Sequence, residues 1–145
     1  MSGTPNALGL PGYGTSLTLE QAKRVLAAAE AEAARNGWPM VIAVVDAGAN
    51  LVALHRQDDA NLGSLGVAQA KAATAVNFRR PTKVFEESLA AGGHGLRIVT
   101  MHDICAVEGG LPILADGRII GGIGVSGAQA AQDGQVATAG AAALG

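Results

Sequence analysis

The chain has 145 residues, of which 49% are apolar and only 15% charged, and its formal net charge is −2. This length is typical of a single domain that folds around its own core. A weakly acidic chain whose longest basic cluster is Arg79-Arg80 lacks the basic surface that nucleic-acid binding requires, so we expect no nucleic-acid partner.

The same composition bears on assembly and compartment. The charged fraction is well below the usual value of about 25%, so we expect part of the apolar surface to be covered in a homo-oligomer. No apolar run approaches the roughly 18 residues of a membrane span, so no membrane partner is expected. The first basic residue is Lys23 and the single cysteine is Cys105, which favours a cytoplasmic protein over a secreted one.

The first half of the chain predicts a helix followed by a β-hairpin. Residues 1–16 mix Gly, Pro, Ser and Asn without periodicity, which predicts a flexible N-terminal arm before one folded domain at residues 17–145. The next stretch has apolar residues at helical spacing, and Thr18 with Gln21 forms a capping-box pattern at its start. The runs MVIAVV and LVALHR, separated by the turn residues DAGAN, then predict two antiparallel strands.

The second half predicts two helices, a second block of strands and a last helix. The Ala-rich segment from Ser64 to Phe78 is one helix, and Pro81 opens a shorter one. LRIVT, LPIL and RIIGGIGV predict strands, DICAVEGG is a strand or a loop, and the Ala-rich end is helical. Hairpins dominate over crossovers in this order, so the fold class is α+β with an antiparallel sheet.

The phrase GGIGVSG contains the G-x-G-x-x-G pattern of a dinucleotide-binding turn at Gly122, Gly124 and Gly127. That pattern has a physical meaning only when a helix and a second parallel strand with an acidic residue follow it. Only eighteen residues follow Gly127, and Asp133 is the last acidic one. The glycines therefore predict a strand against which another part of the backbone packs closely.

Two sets of residues could carry chemistry. In the first, Arg56 and Asp58 follow the hairpin, where Arg56 either holds an acidic ligand group bidentately or forms an exposed salt bridge. His55 points away from Arg56 because side chains alternate along a strand. His94 lies between two glycines and is expected to be a solvated loop residue.

The second set lies in the segment TMHDICAVEGG and comprises His102, Asp103, Cys105, Glu108, Gly109 and Gly110. His102 is a candidate ligand or acid–base group, with a structural role as the alternative. Cys105 is either a nucleophile or a buried thiol. The turn at Glu108 either aims a carboxylate and free backbone N–H groups at one ligand or is only a turn.

Several phrases together resemble the GlcG/HbpS family of small haem-binding or haem-degrading proteins, which also forms the C-terminal part of some PduO-type cobalamin adenosyltransferases. They are VVDAGANLVALHRQDDA, AQAKAATAVNFRRPT, EGGLPIL, DGRIIGGIGVSG and QDGQVATAGAAAL, and the resemblance covers residues 17–145. It implies a profilin-like or PAS-like fold, an antiparallel five-stranded sheet flanked by helices, that assembles into dimers and larger rings or octamers. The residues that match the family's motifs are Arg56, Asp58, Glu108, Gly109, Gly110, Pro112, Ser126, Gly127, Gln132 and Asp133.

Two functional hypotheses follow. In the first, the chain is a homo-oligomeric small-ligand-binding protein for haem or a related tetrapyrrole, with His102 or His55 as the ligand of the haem iron. In the second, it is a cofactor-free catabolic enzyme, a hydrolase, lyase or isomerase, acting on a small carboxylate or hydroxy-carbonyl compound. There Arg56 holds the acid, and His102, Asp58 or Glu108 moves a proton.

Overall fold

The computed structural model describes residues 7–145; residues 1–6, which belong to the predicted arm, lie outside the described part. The elements in chain order are α1 (Leu19–Asn36), β1 (Val41–Asp46), β2 (Leu51–Arg56), α2 (Ser64–Phe78), α3 (Thr82–Ala91), a 3-10 helix (Gly93–Thr100), β3 (Gly110–Ala115), β4 (Arg118–Ser126), α4 (Ala130–Ala141) and a last 3-10 turn (Ala142–Leu144). The predicted α+β class is confirmed.

The strands form an antiparallel sheet in the order β2-β1-β4-β3. Within residues 7–145 this sheet has four strands, so the expectation of five is not confirmed. The predicted strand LRIVT is wrong: it lies in the 3-10 helix, because packing against α3 overrides the β-propensity of its branched residues. From the arm, Tyr13 contributes a single bridge to Ile119 and no strand.

Helices cover both faces of the sheet. On one face α2 packs on β4, β1 and β3, and on the other α1 and α4 pack side by side. Strand β1 is buried on both sides, with Val41 and Ala43 against α2 and Ile42 and Val44 in the core beneath α1 and α4. An apolar run without alternation is typical of such a two-sided burial.

The first helix begins where the sequence predicts. Thr18 Oγ1 accepts a hydrogen bond from the Gln21 N–H at 3.1 Å, and Gln21 Oε1 accepts one from the Thr18 N–H at 2.8 Å. Gly37 ends the helix in the left-handed conformation. None of the helices within residues 7–145 is both long and apolar enough to cross a membrane.

The glycines of GGIGVSG allow a helix to lie directly on the sheet. A Cβ atom at Gly124 would lie 1.9 Å from the Ala68 carbonyl oxygen of α2, and one at Gly122 would lie 3.0 Å from the Ala72 oxygen. The close approach predicted for this strand is confirmed, and the partner is the backbone of α2.

Candidate functional site

An apolar groove lies between the C-terminal end of α2, helix α3 and the 3-10 helix with the loop that follows it. Its volume is about 460 Å³, within the range of small-molecule sites. The apolar residues that line it are Phe78, Val84, Phe85, Ile98, Met101 and Ile104. Arg80, Ser88, His94 and Arg97 supply its polar groups. We call this feature the apolar groove.

Two phenylalanines form one side of the apolar groove. Phe78 ends α2, and Arg79 after it adopts a left-handed conformation with φ of 58°, which turns the chain toward α3. The Phe78 and Phe85 rings then meet edge to face, with centroids 5.5 Å apart and an interplanar angle of 76°. These are the only two phenylalanines in the chain, so its scarce aromatic surface is concentrated here.

The 3-10 helix forms the other side. Gly92 and Gly93 have φ of 73° and 59°, which lets the chain reverse at the end of α3. A Cβ atom at Gly95 would lie 1.9 Å from the Ser88 carbonyl oxygen, so only glycine lets this segment lie against α3. Ile98 is buried beneath it. The glycines thus place the 3-10 helix where it closes the groove.

The charged groups of the apolar groove are all basic. Arg80 Nε donates to the Phe78 carbonyl oxygen at 2.8 Å, and Arg97 Nε donates to the His94 carbonyl oxygen at 2.9 Å. No carboxylate is among the residues that line it. The groove therefore combines an apolar interior with two guanidinium groups and one imidazole.

The residues predicted at the end of β2 lie away from the apolar groove. His55 is half-exposed and its Nδ1 contacts the Glu30 carboxylate of α1. Arg56 is exposed, and Asp58 lines a separate shallow depression beside Trp38. Strands β1 and β4 separate β2 from β3, so this end of β2 lies three strand spacings of about 4.8 Å from the predicted loop site. The structure does not bring the two predicted sets together.

In the loop before β3, Met101 and Ile104 line the apolar groove. His102 and Asp103, which lie between them, are exposed and are not among the lining residues. Cys105 is half-buried, and its N–H donates to Thr74 Oγ1 at 3.0 Å. Burial raises the pKa of its thiol, with Lys71 opposing that rise. A raised pKa lowers the thiolate fraction, which argues against a nucleophilic role.

The Glu108-Gly109-Gly110 turn uses its backbone donors within the protein. The Glu108 N–H donates to Glu86 Oε1 at 3.2 Å, and the Gly110 N–H donates to Thr82 Oγ1 at 2.9 Å. Gly109 is buried with φ of 131°. The turn is thus held between α3 and the sheet, and these two N–H groups are not free for a ligand.

A buried ion pair lies directly behind that turn. Lys71 Nζ of α2 donates to Asp133 Oδ2 of α4 at 2.9 Å and to the Val125 carbonyl oxygen at 2.9 Å, and both side chains are almost fully buried. Asp133 Oδ1 accepts the Ala128 N–H at 3.0 Å. Burial raises the pKa of the Asp133 carboxyl, and the hydrogen bond from Lys71 opposes that rise. A Cβ atom at Gly109 would lie 2.9 Å from Lys71 Nζ, so the pair and the turn are packed as one unit.

Sequence reasoning missed the basic residues of the apolar groove. His94 is exposed, as expected for a solvated residue, but no ligand role is predicted for it. Arg80 enters the sequence analysis only in a short basic cluster and in a phrase that resembles the family. A signal was available in the sequence, since F-R-R-P carries one phenylalanine and the other follows seven residues later. That spacing places the two rings across a turn at the junction of two helices.

Comparisons with known proteins identify the family. The model of the haem-degrading HbpS-like proteins matches residues 17–142. The chain belongs to the HbpS-like family. It is 44% identical over 110 residues to the protein GlcG of Escherichia coli K12, which covers 76% of this chain and 81% of GlcG. The GlcG/HbpS resemblance seen in the sequence is therefore confirmed.

Two solved structures share the fold of this HbpS-like chain. A crystal structure of a Streptomyces reticuli HbpS double mutant has a TM-score of 0.83 at 37% identity, covering 91% of this chain and 89% of that one. The structure described as a PduOC:heme complex has a TM-score of 0.80 at 29% identity, covering 89% of this chain and 95% of that one.

The residues of the apolar groove fit a haem. Its interior is apolar, as a porphyrin face requires, and guanidinium groups match the carboxylates at the porphyrin edge. His94 offers an imidazole, the commonest protein ligand of haem iron. Within residues 7–145 no three His, Cys, Asp or Glu side chains come together in a group that could hold a metal ion.

Proposed function

We propose that this protein binds haem, or a closely related tetrapyrrole, in the apolar groove between α2, α3 and the 3-10 helix. The observation that carries the proposal is the composition of that groove: six apolar side chains, two arginines and one histidine, with no carboxylate. Membership of the HbpS-like family and the fold shared with a PduOC:heme complex support it.

His94 is the side chain that we assign to the haem iron. It lines the groove, whereas His102 lies on the exposed loop and His55 contacts Glu30 on the far side of the sheet. His102 remains the second candidate, because Met101 beside it lines the groove. Bound haem supplies a redox-active iron, and the apolar side chains limit the access of water to its face.

We further infer that the protein works as a homo-oligomer in the cytoplasm. Val84 and Met101, which line the groove, are partly exposed, as are Leu96 and Val99 in the 3-10 helix and Val107 in the loop that follows it. Exposed apolar clusters of this kind are typical of surfaces that a partner covers. A second copy of the chain would cover part of this surface and enclose a haem more completely.

The test is a haemin titration of the purified protein, followed by its Soret band, with light scattering to measure the particle mass. We expect saturable binding of one haemin per chain to a particle larger than a monomer. His94→Ala should shift the Soret band and weaken haemin binding by less than about tenfold, while His102→Ala and His55→Ala should behave as the native protein. Loss of the native spectrum in His102→Ala or His55→Ala alone would contradict the assignment, and no binding in any variant would contradict the proposed function.

A further inference from the structure

We propose that Arg80 and Arg97 are the specificity-determining residues of the apolar groove, and that they select an apolar ligand with carboxylates at its edge. The groove then binds a tetrapyrrole dicarboxylate whether or not the macrocycle holds iron. This inference rests on the proposed function and goes beyond it, because it makes the carboxylate edge, and not the metal, the feature that is recognised.

The first guanidinium is held in place before any ligand arrives. Arg80 Nε donates to the Phe78 carbonyl oxygen at 2.8 Å, and its Cζ lies 5.8 Å from the centroid of the Phe85 ring. The backbone bond occupies one N–H, and the aromatic ring supports the planar group. The four N–H groups of the two terminal nitrogens remain as a fixed fork for a carboxylate.

The second guanidinium, on the exposed side chain of Arg97 in the 3-10 helix, is likewise oriented by a backbone bond but has no aromatic ring beside it in the described part of the chain. Arg97 Nε donates to the His94 carbonyl oxygen at 2.9 Å, so the bond that orients Arg97 comes from the residue that we assign to the iron. Its terminal nitrogens form no hydrogen bond to another described residue. Two oriented forks therefore flank one apolar floor.

Neither fork is neutralised by the protein. Within residues 7–145 the ion pairs are Arg35 with Glu32, His55 with Glu30, and Lys71 with Asp133. Since no carboxylate lines the groove either, both guanidinium groups are free to pair with an anion from outside. A ligand with an apolar body and two carboxylates supplies one to each, and ligands lacking carboxylates leave both unpaired.

The iron contributes less than this pairing. The groove offers the iron one exposed imidazole, on His94, whereas it offers the rest of the ligand six apolar side chains and two guanidinium groups. Burial of the macrocycle face and pairing of its carboxylates are the same for the iron-containing and the metal-free ring. We therefore expect metal-free protoporphyrin IX to bind with a Kd within about tenfold of that of haemin.

The experiment compares three probes on four proteins. The probes are haemin, protoporphyrin IX and protoporphyrin IX dimethyl ester, with porphyrin fluorescence for the last two and the Soret band for haemin. The proteins are the native chain, Arg80→Met, Arg97→Met and the control Arg35→Met, which removes an exposed arginine on the other face of the sheet. Methionine keeps an unbranched apolar stem and removes the guanidinium fork.

The native protein should bind the dimethyl ester at least about tenfold more weakly than the diacid. Arg80→Met and Arg97→Met should each lose about tenfold for the diacid and haemin and little for the ester, whereas Arg35→Met should change nothing. Equal loss of diacid and ester in the two groove variants would show that these arginines only shape the groove, and would overturn the inference. Binding of haemin but not of protoporphyrin IX by the unmutated protein would also overturn the inference, although the proposed function would still hold. Failure of all three probes would remove both.

Discussion

Replacing Lys71 by methionine should lower the free energy of unfolding by about 3–5 kcal/mol, because it leaves a buried carboxylate without its counter-ion. The Lys71 side chain is 1% exposed and that of Asp133 is 4% exposed, so water cannot replace the lost ammonium group. After the substitution, Asp133 keeps a backbone donor in the Ala128 N–H, whereas the Val125 carbonyl oxygen loses the bond from Lys71 Nζ.

The size of this loss separates a buried pair from a surface one. Exposed pairs contribute about 0–1 kcal/mol, and a domain of this kind has a total stability of about 5–15 kcal/mol. Lys71→Met should therefore keep only a small positive free energy of unfolding. The control is Lys23→Met on the exposed face of α1, which should change stability by less than about 0.5 kcal/mol.

A second substitution tests the cause. Asp133→Asn keeps an oxygen for the Ala128 N–H and removes the charge, so Lys71→Met with Asp133→Asn should recover about 2 kcal/mol relative to Lys71→Met alone. The assay is urea unfolding of Lys71→Met, of the double variant and of the control Lys23→Met, monitored by circular dichroism at one protein concentration. A loss below about 1 kcal/mol in Lys71→Met, or no recovery in the double variant, would refute the reasoning.

Two further outcomes follow from the same core. Burial raises the pKa of the Asp133 carboxyl and Lys71 opposes this rise, so the folded Lys71→Met variant binds a proton at a pH where its unfolded chain does not. The difference in free energy of unfolding between the unmutated protein and Lys71→Met should therefore become smaller as the pH falls from about 7.5 to about 5. An equal difference in urea unfolding at the two pH values would contradict this. Gly124→Ala places a Cβ atom 1.9 Å from the Ala68 oxygen and should lower the free energy of unfolding by about 1–3 kcal/mol. The control Gly63→Ala, with no atom within 4 Å of the new Cβ, should lie within about 1 kcal/mol of the stability of the unmutated protein. Similar thermal midpoints for the two alanine variants would show that α2 does not lie on this strand as described.

The fold was largely predictable because local patterns and tertiary contacts agree over most of the chain. The capping box at Thr18, the two-sided burial of β1 and the close approach at Gly124 each follow from residue type and spacing. LRIVT is the exception. Its β-branched residues favour a strand, but the glycine reversal at Gly92-Gly93 directs it onto α3, and Ile98 is buried there instead of in the sheet. β-propensity alone does not predict this outcome, because it does not include packing against α3.

The candidate site was less predictable, because its lining comes from three segments of the chain, and of these residues only Phe78 and Arg80 lie in a phrase that resembles the family. Phe78 and Phe85 meet only because Arg79 turns the chain between two helices. His94 gains its position from the packing of Gly95 on Ser88, a contact between neighbours in space. The segment around His102 is rich in chemical groups, yet His102 itself lies outside the groove. The sequence singles out the loop around His102, whereas the residues of that loop that line the groove are Met101 and Ile104.

The most direct test of the account is to locate bound haemin by NMR with ¹³C-methyl-labelled methionine and isoleucine. Met101 and Ile98 line the apolar groove, whereas Met40 is fully buried in the core beneath α1 and α4. Paramagnetic ferric haem should broaden the methyl signals of Met101 and Ile98 beyond detection and leave that of Met40 intact, with gallium protoporphyrin as the diamagnetic control. Broadening of Met40 with retention of Ile98 would contradict the placement of haem in the groove.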